Sequence, residues 1–184
     1  MRGVPVVEPE NLARAAPAPP HSGEDLEFAE FYRSELPGLV ALARGLCGTA
    51  VADDVAQEAM LAAYRRWAEV ERFDEPRAWV RRVCANLAIS TFRRRVVELR
   101  GLARLAARPP ERRPLDESTE EFWAAVRGLP RRQAQCAALR YLYEMRGDEI
   151  ARTLGISEGS VKVHLARARH SLATTLGLHE EGRS

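Results

Sequence analysis

The sequence predicts an all-α protein built from two small helical domains. Apolar residues recur every three or four positions through most of the chain, which is the period of a helix buried on one face. Glycine and proline interrupt this period at several places, and no stretch keeps the alternation of apolar and polar residues that marks a strand. With 184 residues, 46% of them apolar, the chain is long enough to bury two cores.

The first predicted helix follows an N-terminal segment without periodicity. Residues 1–24 are rich in proline and alanine, and we expect a disordered leader because this segment has too little apolar surface to order itself. From Asp25 to the break after Cys47 the pattern is helical. Its apolar positions are Phe28, Phe31, Leu36, Leu39, Leu42 and Leu46.

The second predicted helix, VADDVAQEAMLAAYRRWAEV at residues 51–70, has an acidic exposed side. The apolar stripe predicted to face inward consists of Val55, Ala59, Ala62 and Tyr64. The exposed side then carries Asp53, Asp54, Gln57, Glu58 and Arg65. A catalytic or metal-binding pair is poorly supported because no histidine lies nearby in sequence. Two interpretations stay open, an ordinary solvated acidic face and a docking surface for a basic partner.

The third predicted helix, RAWVRRVCANLAISTFRRR at residues 77–95, follows a loop that ends at Pro76. Its buried side is predicted to consist of Trp79, Val83, Leu87 and Ile89 or Phe92. The arginines that cannot all be buried are Arg81, Arg82, Arg93, Arg94 and Arg95. Arginines beside exposed aromatic and amide groups can hold single-stranded DNA through phosphate contact and base stacking. Three such helices form a small bundle, and residues 25–96 are predicted as the first domain.

A linker is predicted at residues 97–118, where the apolar face is lost and arginine and proline accumulate. Some helix is expected at its start. The second domain is predicted at residues 119–178, followed by a tail at 179–184. Its first two helices are expected to be separated near residues 128–130, which read Gly-Leu-Pro.

The last two predicted helices form a helix-turn-helix. Ile150, Ala151 and Leu154 supply the inner face of the first of them. Gly155 is placed to take the positive φ of the turn, and Ser157 is placed to cap the helix that follows.

The final helix has a buried stripe and a basic free face. Val161, Leu165, Ala168 and Leu172 fall on one side. The residues that must point elsewhere are Lys162, Val163, Ala166, Arg167 and Arg169. Such a face can enter a DNA major groove, where side chains reach base edges and arginines contact phosphates. The alternative is a solvated helical hairpin, which the absence of acids from residues 159 to 176 disfavours.

Composition narrows the function further. The net charge is only +2, so nucleic-acid binding must rest on where the charges lie. Three cysteines without a close pair fit a reducing cytoplasm, and neither a secretory signal nor a membrane-spanning stretch is evident. No phosphate-binding glycine loop and no convergent nucleophile, base or metal cluster is present, so we expect neither an enzyme nor a cofactor.

Taken in order, these segments resemble the extracytoplasmic-function sigma factors of bacterial RNA polymerase. The resemblance covers roughly residues 26–176 and rests on two separate stretches in the order of that family, DDVAQEA through AWVRRVCANLAISTFRRR, and then LPRRQAQCAALRYLYEMRGDEIARTLGISEGSVKVHLARARHSL. It implies a first domain that docks on core polymerase and opens the promoter −10 element, and a second domain that reads the −35 element. The implied partners are the clamp helices of the largest polymerase subunit, the flap of the second-largest subunit and promoter DNA. An anti-sigma factor is a further partner that is common in the family.

The resemblance also implies roles for individual residues. The core-docking residues would be Asp53, Asp54, Gln57 and Glu58. The −10 DNA-binding residues would be Phe73, Trp79, Arg82, Asn86, Arg93, Arg94 and Arg95. The −35 DNA-binding residues would be Ser160, Lys162, Val163, Ala166, Arg167 and Arg169. Two alternatives stay open, a stand-alone helix-turn-helix regulator and a helical adaptor that binds only protein.

Overall fold

The computed structural model describes residues 24–103 and 117–177, and within these ranges the chain contains only helices and the turns between them. The helices are α1 (Glu24–Cys47), α2 (Ala52–Tyr64), α3 (Trp67–Val70), α4 (Pro76–Ala103), α5 (Glu117–Gly128), α6 (Arg131–Tyr143), α7 (Gly147–Leu154) and α8 (Glu158–Thr175), with a short 3-10 helix at Thr49–Val51. The all-α prediction is confirmed. The predicted leader up to residue 23, most of the predicted linker and the tail lie outside the described residues.

The first domain is a bundle of α1, α2 and α4 with the short α3 at one end. Its core contains Leu39, Leu42 and Leu46 of α1, as their helical spacing predicted, together with the fully buried Trp79 of α4. The predicted inward positions Val83 and Ile89 are also buried, whereas Leu87 and Phe92 are half-buried. Burial of a side chain the size of leucine contributes roughly 2 kcal/mol relative to an exposed position, so each residue of this stripe favours the bundle.

The helix predicted at residues 51–70 is in fact two helices. The backbone leaves the helical region at Arg66, with φ −125° and ψ 22°, so α2 ends at Tyr64 and α3 begins at Trp67. Trp67, just after this bend, lies in the core, where its ring centroid is 4.9 Å from that of Phe31. Tyr64 is exposed, so the prediction that it faces inward was wrong. The reason lies in the period of α2 itself, because Tyr64 follows Val55 by about two and a half helical turns and so lies on the opposite side of the helix.

The first part of the predicted linker is helical. α4 continues to Ala103, seven residues beyond the expected domain end at residue 96. Val97 and Leu99 on this extension are 69% and 53% exposed, so the extension has lost the buried face of the helix. The expectation of some helix at the start of the linker therefore agrees with the structure.

The second domain is formed by α5 to α8. The break between α5 and α6 falls at residues 129–130, as predicted. Its own core joins Cys136 and Leu139 of α6 with Ile150, Leu154 and Val161 of the last two helices.

The two domains pack directly against each other. α1 contacts α5 and α6, and α4 contacts α7. Val126, Ala134 and Ala137 of the second domain belong to the same hydrophobic cluster as the first-domain core. In this conformation the two domains therefore share one apolar interface, and the linker is not their only connection.

Candidate nucleic-acid and partner interfaces

The helix-turn-helix forms through local contacts that the sequence predicted. Gly155 takes the left-handed conformation with φ 64°, which a glycine adopts without a steric cost. The Ser157 hydroxyl accepts a hydrogen bond from the Ser160 amide at 3.1 Å, and so caps α8. Ile150, Ala151 and Leu154 are buried beneath this turn. The orientation of α8 is therefore fixed at its N-terminal end.

The outward face of α8 carries the residues expected there. Val161, Ala168 and Leu172 are buried and Leu165 is half-buried. The exposed residues are Lys162, Val163, Ala166, Arg167 and Arg169. No carboxylate of the described residues forms an ion pair with Lys162, Arg167 or Arg169. These cations are available to phosphates, with small and apolar side chains between them for base edges.

Ser160 differs from the other predicted α8 contacts. It is half-buried, and its hydroxyl lies 2.9 Å from the Ser157 hydroxyl within the helix cap. Its backbone amide is also part of that cap. Ser160 therefore holds the start of α8 in place, at the edge of the exposed face.

The acidic side of α2 is exposed as expected and borders an apolar groove. Asp53, Asp54, Gln57 and Glu58 all face solvent. The groove between α1 and α2 has a volume of about 570 Å³. Its lining consists of Phe28, Tyr32, Met60, Leu61 and Tyr64 with Asp54, Gln57 and Glu58. An apolar floor beside carboxylates suits a helix that presents both apolar and basic side chains.

Most of the negative charge on the exposed side of α2 has no strong ion pair among the described residues. Arg44 lies 3.8 Å from Asp53, but both side chains are more than half exposed, so this ion pair contributes little. Asp54 and Glu58, one helical turn apart, have no ion-pair partner among the described residues. Like charges so close destabilise an isolated helix by a few tenths of a kcal/mol, roughly, and a basic partner relieves this cost.

Sequence reasoning missed the apolar half of the groove. Leu61 is 45% exposed and follows Asp54 by seven residues, so it lies on the same helix face as the carboxylates. This seven-residue spacing could have identified Leu61 as part of the acidic face from the sequence alone. The Tyr64 ring, whose centroid lies 4.9 Å from that of Phe28, was assigned to the core although Tyr64 follows the exposed Gln57 by seven residues and so shares its face of α2.

The loop before α4 places Phe73 at the surface and Trp79 beneath it. Phe73 is half-buried, and its ring centroid lies 6.3 Å from that of Trp79. Trp79 has no exposed surface, so in this conformation it supports Phe73 and offers no face to a ligand. The Arg66 guanidinium lies 5.7 Å from the centre of the Trp79 ring. The expectation of direct DNA contact by Trp79 therefore does not fit this conformation, because the ring completes the core.

Asn86 and Arg82 lie under the second domain. The side-chain amide of Gln135 donates to the Asn86 Oδ1 at 2.8 Å, and Arg131 donates to the same oxygen. Arg82 is only 7% exposed, and burial followed by the nearby charge of Arg132 lowers its pKa. Both residues were predicted to face DNA, and no local sequence pattern indicated that another part of the chain covers them.

The second half of α4 carries three exposed arginines, Arg93, Arg94 and Arg95, which have no carboxylate partner among the described residues. Consecutive side chains point about 100° apart around a helix, so these guanidinium groups spread around the exposed side of α4. From there each can contact a phosphate of a nearby strand.

Other kinds of site were sought in the same ranges. Among residues 24–103 and 117–177, no three histidine, cysteine or acidic side chains converge where a metal ion could bind. None of the helices in these ranges has the length and apolar character needed to cross a membrane.

Comparison with protein families gives two matches in chain order. The family model described as Sigma-70 region 2 matches residues 31–96, and the model described as Sigma-70, region 4 matches residues 119–172. The first range contains the acidic side of α2 and most of α4, and the second contains α7 and most of α8.

Individual relatives agree with these matches. The chain is 33% identical to an RNA polymerase sigma-E factor of Streptomyces coelicolor over 79% of this chain and 84% of that protein. It is 30% identical to the ECF RNA polymerase sigma factor SigM of Mycobacterium tuberculosis over 88% of this chain and 83% of that protein. Its fold is similar to that of the sigma factor RpoE of Bartonella quintana, solved with the anti-sigma factor NepR, with a TM-score of 0.64, 23% identity, and 84% and 99% of the two chains covered.

Proposed function

The chain belongs to the sigma-70 family, in its extracytoplasmic-function group. We propose which of its surfaces bind core polymerase, the −10 element and the −35 element. It is a promoter-specificity sigma factor for RNA polymerase, and a stand-alone regulator is not favoured. The observation that carries this conclusion is the presence of both sigma regions, in order, in one chain.

We assign core docking to the groove of α1 and α2. Asp53, Asp54, Gln57 and Glu58 form its polar rim, and they would pair with basic side chains of the clamp helices of the largest subunit. Support comes from the exposure and missing ion pairs of Asp54 and Glu58 and from the apolar floor beneath them. Apolar burial would supply affinity, while the charges would raise the association rate and select the partner.

We assign −10 recognition to the loop before α4 and to α4 itself. Phe73 and Asn86 would hold an unstacked base of the non-template strand, Arg93, Arg94 and Arg95 would follow its backbone, and Arg82 would join them once uncovered. Trp79 would act from the core by supporting Phe73. Unstacking costs a few kcal/mol, roughly, for each flipped base, and base contacts with phosphate contacts offset that cost. Opening on this basis needs no nucleotide hydrolysis by this chain.

We assign −35 recognition to α8. Lys162, Val163 and Ala166 would face base edges, and Arg167 and Arg169 would contact phosphates with Ser160 at the helix start. Val163 and Ala166 offer no hydrogen bonds, so thymine methyl contact and groove shape would contribute to their selectivity. The flap of the second-largest polymerase subunit would hold this domain at the correct spacing.

Neither domain needs to bind DNA tightly by itself. Anchoring both domains to one polymerase raises their effective concentration at correctly spaced elements, so two weak contacts become selective. The chain would act as a non-catalytic polymerase subunit in the cytoplasm, at the nucleoid when in holoenzyme. An anti-sigma factor remains a candidate partner, since the similar RpoE was solved with one.

Run-off transcription with purified core polymerase on a promoter library tests this function. We expect transcripts from a subset of templates that share two spaced elements. No transcript above core alone would contradict the proposal. Tight binding of the isolated chain as a dimer to a palindromic duplex would support the stand-alone regulator instead. Unchanged transcription after Lys162→Ala with Arg167→Ala would support an adaptor that binds only protein.

A further inference from the structure

The outward face of α8 carries a histidine to which no role has been assigned. His170 follows Val163 by seven residues, or about two helical turns, so the two side chains point in nearly the same direction. His170 is exposed, whereas Ala168 and Leu172 on the opposite side of the helix are buried. Among the residues that follow Ala166 on α8, His170 therefore points most directly away from the domain.

The His170 ring has no partner within the part of the chain that the structure describes. The Thr174 hydroxyl donates to the backbone oxygen of His170 at 3.0 Å, which leaves both ring nitrogens unoccupied. Arg167 and Arg169 precede it on the exposed surface, and the sequence has no acidic residue from 159 to 177. An imidazole N–H in such surroundings suits an anionic acceptor, and a DNA phosphate is such an acceptor.

The length of α8 places His170 beyond the floor of a DNA groove. α8 has 18 residues and is therefore about 27 Å long, more than twice the roughly 12 Å width of the major groove. A helix that enters the groove by its N-terminal half then passes over a phosphate backbone with its C-terminal half. His170 lies about 10 Å further along the helix axis than Val163, which is enough to reach from the base edges to the groove wall.

Gly159 begins the same line of outward positions, four residues before Val163. A Cβ atom at Gly159 would meet only the Ser157 hydroxyl oxygen, at 3.9 Å, and the backbone there is not left-handed. Packing and backbone conformation therefore do not require glycine at this position, and glycine lowers helix stability relative to alanine. The missing side chain lets the first turn of α8 approach a partner closely, while the larger His170 lies at the other end of the line.

We propose that His170 is a further DNA-contacting residue of α8, which donates a hydrogen bond to a phosphate at the wall of the −35 groove, and that Gly159 lets the first turn of the helix lie close to the groove floor. Both roles rest on the proposed function, because they take α8 as the helix that reads the −35 element. His170 acts through its side chain, whereas Gly159 acts through the space that it leaves.

A promoter with single uncharged methylphosphonates tests the phosphate contact. Holoenzyme is assembled from purified core and the full chain, and its affinity is measured on a −35-dependent promoter that it transcribes, with one phosphate replaced at a time. On the unaltered promoter, His170→Ala should bind about fivefold more weakly. One replacement should weaken the unmodified holoenzyme by about fivefold and leave the His170→Ala holoenzyme unaffected, because the side chain that contacts that phosphate is gone.

Charge substitutions at the same position sharpen this test. His170→Glu should weaken promoter binding by about 30-fold because a carboxylate repels the phosphate, whereas His170→Arg should bind at least as tightly as the unmodified chain. The matched control is Thr175→Glu, at an exposed position of α8 that is turned about 140° away from His170. The control should bind within about twofold of the unmodified holoenzyme, since salt screens a charge that makes no direct contact.

Gly159→Ala separates a role in DNA binding from a role in the fold. Alanine is the better helix former and fits this backbone, so the variant should melt about 2 °C higher than the unmodified chain. Its methyl group holds α8 away from the groove floor, so promoter binding by its holoenzyme should fall by about fivefold or more. Assembly with core should be normal.

Equal sensitivity of the unmodified and His170→Ala holoenzymes to every methylphosphonate would overturn the phosphate contact. Full promoter affinity of the Gly159→Ala holoenzyme would overturn the close approach. The double variant Lys162→Ala with Arg167→Ala shows whether only these roles or the proposed function has failed. A loss of binding by that double variant alone would leave α8 as the −35 reader without the two added roles. Unchanged binding by all these variants, or the absence of any transcribed promoter, would overturn the proposed function together with them.

Discussion

The two working surfaces of the first domain differ in accessibility. The acidic groove of α1 and α2 lies open to solvent, whereas Asn86 and Arg82 on α4 lie under the second domain. A surface that is open in the free chain can make the first contact with a partner, and a covered one can act only after the domains separate. With the roles proposed for these two surfaces, the difference predicts an order of events, in which core docking precedes −10 recognition.

The largest effect is expected from reversing charge on the open surface. Asp54→Arg with Glu58→Arg should weaken binding to core by about 100-fold, or ~2.7 kcal/mol, because both carboxylates are exposed and would repel a basic partner. Titration of fluorescent chain with core polymerase measures this. Glu98→Arg with Glu121→Arg makes the same charge change at exposed sites elsewhere and should bind normally. Normal binding by the first variant would remove core docking from the groove.

A smaller effect is expected on the second domain. Lys162→Ala with Arg167→Ala should lower transcription from promoters that depend on their −35 element by about 10- to 50-fold, because base-edge and phosphate contacts are lost. Loss of the Arg167 phosphate contact should also reduce the slope of log affinity against log salt by about 1. Core binding should not change, since these residues lie outside the groove. A loss of core binding would show that α8 contacts polymerase rather than DNA.

Asn86→Ala tests the covered surface. We expect promoter opening to fall by about tenfold while core binding stays intact. A tenfold change corresponds to ~1.4 kcal/mol, which is the contribution of a single hydrogen bond. Permanganate reactivity of unpaired thymines at the −10 element measures opening. Ser90→Ala, exposed one helical turn away on α4, is the matched control. Equal opening by the two variants would remove Asn86 from the −10 site.

The smallest effect is expected from Glu75→Gln. The pair of Glu75 with Arg152 joins the domains, but the Arg152 side chain is 53% exposed, so its loss should weaken closure by less than ~1 kcal/mol. Energy transfer between labelled domains should show a slightly larger open population at low salt and no difference at 1 M salt. A complete opening would mean that this pair, and not the apolar interface between the domains, holds them together.

The sequence predicted best what depends on neighbouring residues. Gly155 and Ser157 shape the turn within a few positions of the chain, so the helix-turn-helix and the outward face of α8 followed from spacing alone. The exposure of Asp54 and Glu58 followed from the period of α2 in the same way.

The features that were not predicted depend on contacts between residues that are far apart in the sequence. The break between α2 and α3 at Arg66 was not predicted, and it lies where Trp67 packs on the distant Phe31. The closure of the domains joins Asn86 to Gln135 and Gly45 to Trp123, pairs that lie 49 and 78 residues apart. A glycine inside a helix signals close approach only when the approaching ring is known, so no period in the chain could indicate it.

The ordering of events can be tested in one titration. Core polymerase is added to chain labelled at Ala68→Cys and Thr175→Cys, with and without Asp54→Arg and Glu58→Arg. The account predicts that energy transfer falls as the unmodified chain binds core, and that it stays high for the variant across the same concentrations. Efficiency that stays high on core-bound chain, or that falls equally in the variant, would contradict it.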